Sequence, residues 1–461
     1  MKIGKTESFL LLALIIGYGA ATMATATGFK VEQDEIGEGG RQDEMFLLLN
    51  SEPVMKSDAG EMRVVRSHDH EGRMIVEKPM HIGFIQMDPN TLLLPMYLDS
   101  SLILFLRTGE ATVGLIYKDH MVESQLKVGD VYPIPAGSTF YILNTGEDQR
   151  LHIICSIDPS QSLNFGAFQS FFIGGGTYPS SVLAGFGPET LSAAFNVSES
   201  KVSRIFSKQQ EGPIVYLTNS RGPNTWKKFS LLEKQERLKQ VKRIVQGQAE
   251  EEKEWSWWNL VTDVFGTQDS NENHKAPISY NIYNKTPDFR NDYGWRVELD
   301  ESEYRPLKHT GIGVFHVNLT PGSMLAPHMN PSATEYSIVL KGSGRIQIVY
   351  PNGTLAMDVM VKEGDVFWVP RYFACCQTAS KSEAFEFLGF TSSSSQKNRP
   401  QFLVGKNSLL HTLNSLELAN AFGVSRKKIR RLINAQRESM ILPSSSSPSA
   451  DDDEKKKAVS F

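Results

Sequence analysis

The 461-residue chain has only three cysteines, Cys155, Cys375 and Cys376. Neighbours in sequence rarely bond each other, and an odd count leaves a thiol over, so no disulfide framework stabilises this chain. Core burial has to do that. An excess of either charge is also missing. Lys and Arg number 48 against 52 Asp and Glu, a net charge of −4, which gives no electrostatic case for a nucleic-acid partner. No apolar run has spanning length. That of Phe9 to Ile16 falls well short of the roughly 20 residues a membrane helix needs. It follows Lys2 and Lys5 and precedes small residues ending in Ala24-Thr25-Ala26. A charged n-region, a short apolar core and an A-x-A site read as a secretory signal peptide, residues 1–26, rather than an anchor. The mature chain would start near Thr27 and have no membrane partner. Hydrophobic residues at 40% and charged residues at 22% describe an ordinary globular chain, long enough for about two domains.

Residues 27–60 are polar and read as a leader. His68-Asp69-His70 follows between charged residues, where a solvated loop is the better reading than a metal clip. From Met74 short apolar runs alternate with turn residues: HIGFIQMD, TLLLPMYLD, SLILFLRTG, ATVGLIY, LKVGDVYPIPAG, TFYILNTG, LHIICSID. Many short strands at close spacing predict an all-β barrel or sandwich. Helical sequence then runs from Ser180 to about Ser207. The second half repeats this order. SLILFLRTGEATVGLIY matches EYSIVLKGSGRIQIVY with Gly109 on Gly342. LKVGDVYPIPAG matches VKEGDVFWVPRY with Gly129 on Gly364, and LSAAFNVSESKVSRIF matches LANAFGVSRKKIRRLI. Three matches in the same order mean a duplicated domain. The predicted division is a first barrel with a helical arm at 61–218, a charged helical linker at 219–275, a second barrel and arm at 276–440, and a disordered tail at 441–461. Sequons stand at Asn196, Asn318 and Asn352, and a fourth at Asn284 is weakened by Pro287.

The second copy carries a spaced set: Gly322, then His328, Asn330, Glu335 and Gly342, followed downstream by Gly364, Pro370, Tyr372 and Cys375. This spacing resembles the two motifs of the cupin superfamily. In that family the positions of His328, Asn330, Glu335 and Cys375 hold three His and one Glu, a site for Mn or Fe in oxidase and decarboxylase chemistry. The resemblance therefore predicts a mainly β fold of two tandem cupin jelly-roll barrels, each followed by a helical arm. Two of the three imidazoles are replaced here, and a thiol has entered. That set does not suit Mn or Fe turnover, whereas Cu or Zn accepts imidazole and thiolate together. Two readings stand open. In one, the mouth is a relict, with Cys375 packing as a small hydrophobe. In the other it is a non-catalytic transition-metal or small-anion site built on His328 and Cys375, helped by Glu335 or Asn330. Cys376 is expected to point the other way along the strand. In the first copy, Phe140 takes the distal His position. Counting back from Gly109 puts Leu102 at the Glu position and Pro95 and Tyr97 at the His-x-His positions, so no ligand survives. Leu102 and Phe140 are expected to fill the barrel.

Two barrels, a signal peptide, helical arms and degenerate sites are similar to the plant vicilins, the 7S seed storage globulins, over about residues 60–440. LKVGDVYPIPAGSTFYILN, GDVFWVPRYFACCQTAS and NRPQFLVGKNSLL carry the likeness. It implies a nutrient reservoir without turnover, and a homotrimer whose arms dock on neighbouring copies. It also implies delivery through the secretory pathway to the protein storage vacuole, with the terminal AVSF as sorting peptide, or to the extracellular space as the alternative. Two other functions are weighed beside storage: a metal-dependent enzyme of oxalate oxidase or decarboxylase type, and a ligand-binding signalling cupin. The missing imidazoles argue against the enzyme. Apolar positions on the arms, Leu191, Phe195, Val202 and Ile205 in one and Leu418, Ala421, Phe422, Ile429, Leu432 and Ile433 in the other, need a cover, either within one protomer or from a neighbouring copy.

Overall fold

A computed structural model describes residues 45–67, 79–117, 120–146, 148–164, 167–217, 278–396, 399–413 and 415–444. The signal segment, the His68-Asp69-His70 motif, the linker at 219–275 and the AVSF end lie outside the described residues.

Each half forms two antiparallel sheets closed on one another. In the first half, a seven-stranded sheet runs Ser51–Ser57, Gly60–Val65, His81–Met87, Leu151–Asp158, Ser101–Thr108, Asp130–Ile134 and Tyr280–Asn281 in spatial order. Its partner sheet runs Ser170–Phe172, Thr91–Leu98, Phe140–Asn144, Ala111–Tyr117 and His120–Leu126, with Ile214–Tyr216 also paired to Thr91–Leu98. The second half repeats the arrangement, with Phe289–Asn291, Gly294–Leu299, Gly313–Leu319, Phe385–Thr391, Glu335–Lys341 and Val366–Val369 in one sheet. Its other sheet runs Leu355–Lys362, Ser343–Val349, Ala374–Ala379, Ser323–Met329 and Gln401–Phe402, with Ile441–Pro443 added to Ser323–Met329. The turn glycines confirm the duplication at the backbone. Gly109 and Gly342 take φ of 89° and 78°, and Gly129 and Gly364 take 88° and 92°. These are left-handed values that favour a residue without Cβ.

Sequence pattern assigns the layers. Glu335–Lys341, EYSIVLK, is buried at every position but the last, and Ser101–Thr108, SLILFLRT, is buried and apolar from 102 to 106. Both belong to sheets whose inner faces fill a barrel and whose outer faces meet. Ile82, Ile103, Phe105 and Val131 of the first half share one core with Val297, Val314, Tyr336 and Phe390 of the second. A strand buried on both faces reads as an unbroken apolar run. Ser343–Val349, SGRIQIV, has one face in water and alternates instead.

Three predicted boundaries are corrected. The leader is structured from residue 45: Phe46 is fully buried in the core of the second barrel, Leu48 N–H donates to the Val366 carbonyl, and Ser51–Ser57 is a strand of the first barrel. Its polar composition hid this, because two or three apolar side chains suffice to anchor a segment in a distant core. Conversely, Tyr280–Asn281 pairs with Asp130–Ile134, so the second half lends a strand to the first barrel. The start of the predicted tail is structured too: Ile441–Pro443 is a strand, and its Ile441 is fully buried.

The arms form helices Pro188–Phe195 and Glu199–Phe206 after the first barrel, and Leu416–Ala421 and Arg426–Ile433 after the second. Pro188 opens the first at a position where its missing N–H costs nothing, and Ser425 caps the last through its side chain. Each of the four buries one residue: Leu191, Val202, Ala419 and Ile429. Phe195, Ile205, Phe422 and Leu432 stay at least half exposed.

Candidate functional site at the second barrel mouth

The four predicted positions are all buried, at 1% exposure for His328 and 4% each for Asn330, Glu335 and Cys375. Strand pairing brings them there. His328 lies directly opposite Cys375, in the register of Ser323–Met329 against Ala374–Ala379. Glu335 opens the next inward strand, and Asn330 sits in the turn between. Alternation along Ala374–Ala379 sends Cys375 inward, while Cys376 turns away, half-buried, with its thiol on the Leu325 carbonyl at 3.3 Å.

The residues form two pairs. In the first, His328 Nδ1 is 2.8 Å from the Ala326 carbonyl. A carbonyl can only accept, so Nδ1 carries the proton and Nε2 presents its lone pair. The Cys375 thiol lies 3.4 Å from that Nε2 and donates to it, and Gln377 Nε2 approaches the sulfur at 3.6 Å. Burial pushes the Cys375 thiol well above its ordinary pKa, and the neighbouring Glu335 and Cys376 add to this. Burial likewise pushes the His328 imidazole down, against a smaller upward pull from Glu335. The pair is thus neutral thiol and neutral imidazole. A metal taking both must displace the thiol proton.

In the second pair, Asn330 Nδ2 donates to Glu335 Oε1 at 3.1 Å, and Asn330 Oδ1 accepts the backbone N–H groups of Ser332 and Ala333, each at 3.0 Å. Where the cupin motif has its second His, this chain has a turn-forming amide with both ends engaged. Among the described residues, no three His, Cys, Asp or Glu side chains converge as a metal-ligand group.

Sequence reasoning missed Arg296. It is 2% exposed, donates through Nε to Glu298 at 2.7 Å, and has its guanidinium 4.7 Å over the Phe315 ring. Its Nη1 is buried without a partner among the described residues. Arg296, Glu298, Asn330, Glu335 and Arg399 line a cavity of about 30 Å³ beside the His–Cys pair. A polar space of that size holds about two waters or an equally small guest. The available signal was one Arg at a buried position of the strand GWRVEL.

The first barrel mouth is closed by apolar side chains. Leu102 and Phe140, both 2% exposed, lie in its core as expected. The expected register of Pro95 and Tyr97 is corrected by one residue. Met96 stands opposite Phe140, as His328 stands opposite Cys375, and Met96 and Leu98 face inward while Pro95 and Tyr97 face out. Leu102 follows Met96 by six positions where Glu335 follows His328 by seven, so counting back from Gly109 slips by one. Met96, Leu98, Leu102 and Phe140 thus fill the space that ligands would occupy.

Two stacked jelly-roll barrels, one packed solid and one keeping a His–Cys pair at its mouth, define a bicupin with degenerate sites. The cupin family model matches residues 46–203 and 280–430. A vicilin-like seed storage protein of Arabidopsis thaliana is 55% identical over 88% of this chain and 81% of its own. The crystal structure of vicilin from hazelnut, Corylus avellana, superposes with a TM-score of 0.68 at 21% identity, over 87% of this chain and 99% of the other. A vicilin structure from Solanum melongena, described as having different anionic ligands in structurally similar pockets, matches with a TM-score of 0.69 at 19% identity over 87% and 98%. The chain belongs to the vicilin-like seed storage proteins of the cupin family.

Proposed function

We propose that the chain is a non-catalytic storage globulin of seeds, a nutrient reservoir rather than an enzyme. The observation that carries this is the first barrel, where the fold is kept and every ligand position is apolar. Selection there acts on a packed shape. The second mouth supports the same reading, since Asn330 and Glu335 are tied to each other and to a turn. Reservoir function is tested by quantifying the protein through seed maturation and germination. Accumulation followed by loss supports it, and a constant trace level refutes it. Oxalate turnover with added Mn would revive the enzyme.

The assembly is a homotrimer built by the arms, supported by Phe195, Ile205, Phe422 and Leu432, which one protomer leaves uncovered. Sedimentation of Leu432→Asp against wild type tests it, with dissociation expected. Synthesis through the secretory pathway is read from residues 1–26, and the storage vacuole from the terminal AVSF.

A second reading coexists with storage: the second mouth holds a small guest. The His328–Cys375 pair suits Cu or Zn, with Glu335 or Asn330 as helpers. Arg296 favours a small anion instead, although Glu298 and Glu335 line the same cavity, so an anionic guest must also offer them hydrogen-bond donors. Copper titration of wild type against His328→Ala and Cys375→Ser decides the metal. Equal weak uptake by all three removes it.

A further inference from the structure

The chain has four N-x-Ser/Thr sequences in which x is not Pro, and the fold treats them differently. Asn318 is the penultimate residue of the strand Gly313–Leu319, half-buried, paired to Trp295 on one side and Glu386 on the other. A bulky substituent there would break the sheet. Asn284 ends a 3-10 turn whose Tyr283 ring packs on Phe105 and His316 where the barrels meet, and Pro287 follows its Thr286. Asn196 is exposed, but it is the left-handed cap between the first two arm helices. It stands beside Phe195, on the face that self-assembly would cover.

Asn352 is different. It stands exposed at the tip of the hairpin joining Ser343–Val349 to Leu355–Lys362. Tyr350 and Thr354 close the turn, and Gly353 takes a left-handed φ of 86° with open space around it. Asn352 Oδ1 accepts both the Thr354 N–H at 3.0 Å and the Thr354 hydroxyl at 2.7 Å. This fixes the amide and leaves its Nδ2 to solvent. At Asn318 the corresponding Thr320 hydroxyl serves Tyr293 and Ser323, and at Asn196 the Ser198 hydroxyl meets Ser200. Among the described residues, only the Asn352 sequon has its hydroxyl on its own asparagine.

We propose that Asn352 is the N-glycosylation site of this protein, an inference that rests on its passage through the secretory pathway. The donor class is a lipid-linked oligosaccharide diphosphate. Asn352 Nδ2 attacks the anomeric carbon, the C–N bond forms, and the anomeric C–O bond breaks. One amide proton goes to a base of the transferring enzyme, and the lipid diphosphate departs. The position also gives the glycan a task. Leu355–Lys362 is the edge strand of its sheet, and its Leu355 and Met360 are 59% and 63% exposed. Unpaired edges with exposed apolar residues invite strand addition by a second copy. A hydrated, branched chain at the hairpin tip blocks that approach.

The test expresses the full chain in a secreting eukaryotic host, with gel mobility before and after glycosidase and peptide mapping. Wild type, Asn196→Gln and Thr354→Ser should show one glycan step, and Asn352→Gln and Thr354→Ala should lose it. The Thr354→Ser variant keeps the hydroxyl, so its retained step separates acceptor chemistry from a folding defect. A step that survives in Asn352→Gln, or a secreted wild type without glycan, overturns the assignment. A wild type retained in the cytosol overturns the secretory reading, and the assignment with it. Faster aggregation of secreted Asn352→Gln than of wild type is expected, and equal rates overturn the shielding role.

Discussion

Phe140 separates a barrel filled for stability from one shaped for a guest. Its ring is 2% exposed and lies between Met96 on one neighbouring strand and Leu115 on the other. Truncation to Ala removes the ring from the packed core of the first barrel. Loss of transfer free energy plus the cavity should cost about 3–5 kcal/mol. For a barrel of this size each kcal/mol moves the melting temperature by about 2–4 °C, so a fall on the order of 10 °C is expected. Cys375→Ala, the matching position in the second barrel, removes a single sulfur and should cost about 1 kcal/mol. Scanning calorimetry of both variants beside wild type is the assay. Unfolding of two barrels is not two-state, so the transition that moves is the quantity to read. A shift for Phe140→Ala no larger than that of Cys375→Ala would mean the ring borders open space. The first barrel would then be a binding cavity, and the storage reading would lose its main support.

Other perturbations probe the rest of the molecule. Phe46→Ala should cost about 3–5 kcal/mol in the second barrel, although the residue precedes the first, and a shift confined to the first barrel's transition would refute its place in the second core. Tyr372 holds a φ of 66° at a position 56% exposed. Relief of about 1–2 kcal/mol of left-handed strain outweighs the added chain freedom of about 0.5–1 kcal/mol, so Tyr372→Gly should stabilise slightly in urea titration, and a loss would refute it. Burial holds His328 below its ordinary pKa, so the unfolded chain takes up a proton as pH falls through about 6.5 while the folded one resists. Stability is therefore lost on acidification, from about 6.5 down to the folded value. His328→Gln should lose less stability than wild type between about pH 7.5 and about pH 5.5, and parallel curves would sink the argument.

Much of this architecture was legible in residue order. Strand alternation, the three matched stretches and the paired turn glycines are local signals, fixed by side-chain period and by φ. They specified two barrels, their arms and the absence of imidazole at Asn330 and Cys375. The inward turn of Cys375 and outward turn of Cys376 followed from a period of two. The burial of Leu102 and Phe140 followed from their apolar character at positions that face the barrel.

What tertiary structure decided is what lies across from what. Met96 rather than Pro95 faces Phe140 because the spacing from Met96 to Leu102 is one residue shorter than that from His328 to Glu335, and an offset counted from Gly109 cannot register that. Phe46 enters the second barrel and Tyr280 joins the first because pairing across more than a hundred residues leaves no local period to read. The His328–Cys375 hydrogen bond, the Asn330–Glu335 pair and the buried Nη1 of Arg296 arise where strands distant in sequence meet. The sequence determined that Asn330 and Cys375 stand where the cupin motif has two of its three imidazoles. Strand pairing determined what fills the two mouths: a solid apolar plug in one barrel, and in the other a neutral thiol–imidazole pair beside a small charged cavity.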